Sequence, residues 1–123
     1  MRAARLAIAA LAAALASSQG AAHHSAAMYD SDKTVDVAAT VKQLEWTNPH
    51  SWLAISYTDQ QGRATEADLE LGSPVQLVRQ GWKPKVLAPG DQVTVSFHPH
   101  KDGLRSGLLV TVKLPNGTVL GSD

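Results

Sequence analysis

The chain has 123 residues, 44% of them hydrophobic and 18% charged, with 11 basic side chains against 11 acidic ones and no cysteine. That composition describes one small soluble domain with a single core, and it excludes disulfides, thiol nucleophiles and cysteine-based zinc or iron–sulfur sites. A formal charge of zero also lacks the positive excess with which nucleic-acid binders neutralise phosphate, so no nucleic-acid partner is expected.

Residues 1–22 read as a cleaved signal peptide: Arg2 and Arg5 give a charged start, Leu6 to Ala16 an apolar stretch, and Ser17 to Ala22 a small, polar end. The apolar stretch is shorter than the roughly 20 residues of a membrane-spanning helix, so processing leaves no transmembrane segment and predicts a periplasmic product. Small-residue preferences permit cleavage after Ala22 or after Gly20. The first makes His23 the terminal residue, whose amine and imidazole can chelate one ion. The second puts His23 third, where amine, amides and imidazole can wrap a square-planar Cu(II) or Ni(II). Copper is therefore the metal that an N-terminal arm of residues 23–34 suits, with His24 and the Met28 thioether close by in sequence. The competing reading is a solvated chain end.

From residue 35 to 123 the pattern predicts a single β domain. Val35, Val37, Ala39 and Val41 alternate with polar residues, and then Leu44 and Trp46 fall on the opposite parity, which requires a bulge or bend near Gln43. Thr47-Asn48-Pro49 ends that strand and His50 follows it. Leu53, Ile55 and Tyr57 mark a second strand. Asp59 to Gly62 form a turn, and Thr65, Ala67, Leu69 and Leu71 mark a third strand, with Glu66, Asp68 and Glu70 predicted as a solvated outer ladder. Ser73, Pro74, Gln76 and Gly81 frame one short helix, after which Trp82 is expected to fold back on the core. Pro89-Gly90 launches a fourth strand through Val93, Val95 and Phe97. Lys101 to Gly107 is a loop, Leu108, Val110, Val112 and Leu114 a fifth strand, and Asn116-Gly117 turns into a short sixth.

Three strands, a helix and two or three more strands, the first long and bent, is the order of an OB-like barrel of five to six strands; the alternative is a two-sheet sandwich. OB barrels bind across strands 2 and 3 and through the loops after strands 1 and 4. Here the first loop brings Trp46, Asn48, His50 and Trp52, aromatic surface with an amide and an imidazole, the chemistry of a small-molecule pocket. The second brings His98 and His100, which an antiparallel pairing of strands 1 and 4 would carry towards His23 and His24 as a four-imidazole metal site. Against this, Trp46 and Trp52 can complete the core and Asn48-Pro49 can be turn chemistry alone. No nucleophile elbow or Ser-His-Asp spacing marks a catalyst, so the expectation is a non-enzymatic binder of a small molecule or metal ion.

The leader with His23-His24-Ser25, then Glu45-Trp46-Thr47-Asn48-Pro49-His50-Ser51-Trp52, Gly72-Ser73-Pro74, Gly81-Trp82, Pro89-Gly90-Asp91 and Lys101-Asp102-Gly103, resembles the exported bacterial family called domain of unknown function 6152. The Trp-Thr-Asn-Pro-His run is the most specific of these elements. The resemblance implies export and agrees with a small β barrel, and it carries no activity with it.

Overall fold

A computed structural model of the protein describes residues 26–122, so the leader and the His23-His24 pair lie outside the described residues. Six strands occur in the order β1 (Val35–Glu45), β2 (Trp52–Thr58), β3 (Ala64–Glu70), β4 (Gln92–Pro99), β5 (Ser106–Lys113) and β6 (Val119–Gly121), with the helix α1 (Pro74–Arg79) between β3 and β4. They hydrogen-bond in the order β3-β2-β1-β4-β5-β6, and a parallel pairing of β3 with β5 closes the first five into a mixed barrel. β6 is the extra strand, added to β5.

Closure depends on β1 serving both sides. Its first half, Val35 to Thr40, pairs with β4, and Ala39 to Glu45 pairs with β2, with a register shift between Val41 and Gln43. The parity change of the apolar residues is this bulge: Val41 faces the core before it, and Leu44 and Trp46 pack against the core after it. The interior is filled by Leu53, Ile55, Leu69, Val95, Leu109 and Val112, all without solvent exposure or with almost none.

The helix forms for the expected local reasons. The Ser73 side chain accepts from the Gln76 amide, Gln76 reciprocates at Ser73, and Pro74 occupies the first turn, where its missing N–H costs nothing. Gly81, at φ +94°, ends it, and the Gly81 and Trp82 amides donate back to Val78 and Leu77. Leu77 and Trp82 enter the core, and the Trp82 Nε1–H donates to the Gly121 carbonyl at 2.8 Å. No helix among the described residues is long and apolar enough to cross a membrane.

Two expectations are corrected. The first half of β5 has the other phase: Gly107 and Leu109 are buried, while Leu108 and Val110 are only half-buried. A register shift between Ser96 and Phe97 accommodates the extra residue and restores Val112 and Leu114 to the core. Position 107 is glycine because a Cβ there would lie 2.5 Å from the Phe97 ring. The second correction is Glu70, which is not solvated but 3% exposed.

Candidate functional site

β1, β2 and β3 lie side by side, so cross-strand partners share a face. Glu45 stands opposite Trp52, Trp52 opposite Glu70, and Ala54 opposite Asp68. All are at outward-facing positions, because Leu53, Ile55 and Leu69 between them point inward. β5 adds Ser106 beside Asp68. Glu45, Trp52, Ala54, Asp68 and Ser106 line an open groove of about 400 Å³. It exists because Ala54 is small where its neighbour two residues back is an indole, which leaves a depression beside Trp52. The groove opens on the flank of the barrel, whose interior is packed solid.

At one end of this face Glu70 is covered instead of solvated. The arm preceding β1 runs along the end of β4, the Asp30 amide donating to Pro99 and the Lys101 amide to Met28, so that Tyr29 and His100 form a β-bridge. That lays the Tyr29 ring over the sheet, edge-on to His100, and its hydroxyl donates to Glu70 Oε2 at 2.6 Å. From the other side His50 Nδ1 sits 3.4 Å from Glu70 Oε1 and 3.2 Å from the Leu71 carbonyl. Both are acceptors, so Nδ1 carries the proton, and the lone pair of the neutral ring is on Nε2, away from Glu70. Burial, reinforced by the Glu70 hydrogen bond and charge, pushes the Tyr29 phenol well above its ordinary value, against a weaker opposing hydrogen bond from Ser106. Ser106 thus links this buried network to the groove it lines.

The loop between β1 and β2 is stitched down by Ser51. Its amide donates to Gly72, its carbonyl accepts from Leu71, and its hydroxyl donates to the Thr47 carbonyl. Of the four residues proposed from sequence, Trp52 lines the groove and His50 holds Glu70. Trp46 packs partly buried against the core, and Asn48 is exposed, its bond to Pro49 cis. Glu45, Asp68, Ser106, Tyr29 and Glu70 were not singled out as site residues. The Trp52-x-Ala54 step on an outward face was a usable signal; the contact between Tyr29 and Glu70, 41 residues apart, left none.

His98 and His100 do lie beside the arm. The His98 Nδ1–H donates to the Lys33 carbonyl at 2.7 Å, leaving Nε2 as the lone-pair nitrogen, whereas His100 Nδ1 accepts from the Asp102 amide. Among the described residues no three His, Asp or Glu side chains converge as a metal site.

The sequence model of a family of unknown function, DUF6152, matches residues 10–111. The chain belongs to that family. The match takes in β1 to β4, α1 and most of β5, so the groove, the Ser51 loop and the Tyr29–Glu70–His50 network all fall within the DUF6152 region. No curated protein and no solved structure matches the chain.

Proposed function

We propose that this DUF6152 protein is an exported, periplasmic binding module, without catalytic activity, that takes a small molecule in the groove beside Trp52, with His50 and the exposed Asn48 at the adjoining loop. The observation that carries this reading is the groove itself. It has the size of a small-ligand site, it occupies the strand 2–3 flank that barrels of this topology use, and it combines an indole with polar side chains at its rim. Trp52 offers stacking surface, Ser106 a hydroxyl, and the Ser51 bonds fix the loop in advance of binding, which lowers the entropic cost of capture.

The test is a titration of the chain beginning at His23, followed by amide and indole NMR shifts, with N-acetylglucosamine, adenosine and putrescine as probes of the sugar, nucleoside and amine classes. Shifts centred on Trp52, Ala54 and Ser106 with at least one probe, lost in Trp52→Ala, are expected. If none of the three moves those signals, the reading fails.

A second reading, copper binding by the His23-His24 arm with His98 and His100, is favoured by one observation. The carbonyl that holds His98 Nδ1 fixes that ring with Nε2 available, as in the outer shell of many metal-bound imidazoles. Calorimetric titration with Cu(II) and Cu(I) decides it: binding no tighter than to free histidine ends the idea.

A further inference from the structure

The make-up of the groove names a ligand class, an inference that rests on the binding reading above. Its wall-to-wall chemistry is an indole and a small alkyl floor, Trp52 and Ala54 on β2, with one carboxylate on either side: Glu45 on β1 and Asp68 on β3. No lysine or arginine is among the lining residues. The nearest cations border an adjoining recess of about 150 Å³ that shares Ala54 and Asp68 with the groove: Lys42, held by Glu66 at 2.7 Å, and Arg105. The ion pairs formed by lysine and arginine among the described residues are Lys33–Asp30, Lys42–Glu66 and Arg63–Asp59, and neither Glu45 nor Asp68 takes part in one.

The register sets the spacing. Glu45 is level with Trp52 and Asp68 is level with Ala54, two residues further on, so the two acids sit diagonally across β2. Strand spacing and rise put their Cα atoms about 12 Å apart. Two carboxylates that far apart do not share one metal ion. They suit two positive charges joined by an apolar spacer, and the indole between them is the surface on which a methylene chain packs and an ammonium gains cation–π attraction. We propose that the groove binds a linear aliphatic diamine, laid diagonally across Trp52 with one ammonium at Glu45 and the other at Asp68.

The experiment compares putrescine with n-butylamine, which has one ammonium, and 1,4-butanediol, which has the length without charge, by calorimetry and by the Trp52 indole shift. Putrescine is expected to bind at least tenfold more tightly than butylamine and the diol not at all. Glu45→Gln and Asp68→Asn should each weaken putrescine at least fivefold and bring it near butylamine, while Glu66→Gln leaves it unchanged. Equal binding of putrescine and butylamine, or indifference to both substitutions, overturns the proposal. Should N-acetylglucosamine or adenosine move the Trp52 indole while putrescine does not, the diamine is wrong and the binding groove stands. Should none of the five compounds move it, both fall.

Discussion

Glu66 and Glu70 occupy the same strand and the same face, four residues apart, yet their surroundings are opposite. Glu66 is exposed and meets Lys42 at 2.7 Å; the Lys42 ammonium holds its carboxyl below the usual range. Glu70 is buried between a phenol and an imidazole that arrive from outside the strand, Tyr29 from the N-terminal arm and His50 from the loop before β2. Strand periodicity therefore decides which side of a sheet a residue takes, and long-range cover decides whether that side is wet. Asp68, between the two, borders the groove and has neither fate.

The largest effect should come from removing the buried carboxylate. Glu70→Ala takes the acceptor from the buried Tyr29 hydroxyl and leaves a void beneath the ring, while the His50 Nδ1–H keeps the Leu71 carbonyl; the expected loss is about 2–4 kcal/mol in urea unfolding. A loss below about 1 kcal/mol would mean that the cover over Glu70 opens readily and that the two carboxylates differ less than their positions suggest. Next comes Tyr29→Phe, which keeps the ring against His100 but removes one donor from the carboxylate. About 1.5–3 kcal/mol is expected for a hydrogen bond to a charged group, with the same unfolding measurement as the check.

This contrast also marks how far the sequence could be read. The closed barrel, the bulge in β1, the capped helix and the buried Trp82 were all legible, because each is written in local terms: a parity change between Val41 and Leu44, a Ser-Pro-x-Gln cap, a glycine stop. The phase of β5 was not, because Leu108, Leu109 and Val110 form a continuous apolar run in which alternation has no anchor. The glycine that sets the phase is required by the Phe97 ring on another strand. The site was half legible. Trp52 and His50 stood out by residue type, but their partners Glu45, Asp68, Ser106 and Tyr29 become neighbours only through barrel register and the docking of the arm.

A smaller, pH-dependent effect follows from the same cover. Tyr29 keeps its proton in the folded state at pH values where the unfolded chain loses it. Its contribution is therefore complete below the unfolded value of about 10 and is lost as pH rises beyond it, with a slope approaching 1.4 kcal/mol per pH unit. Urea midpoints between about pH 8 and pH 11 should fall more steeply at the alkaline end for the native chain than for Tyr29→Phe. Parallel curves would show that the phenol ionises equally in both states and is not held by Glu70.

The smallest effect belongs to the exposed rung. Glu66→Gln removes an ion pair whose two side chains are 62% and 45% exposed, where water screens the attraction and both chains surrender rotamer freedom to keep it. The urea midpoint at neutral pH and physiological salt should not move outside error. A clear loss there, approaching that of Glu70→Ala, would show that the outer face of β3 acts as one coupled electrostatic unit. Burial by Tyr29 and His50 would then no longer be what separates one end of it from the other.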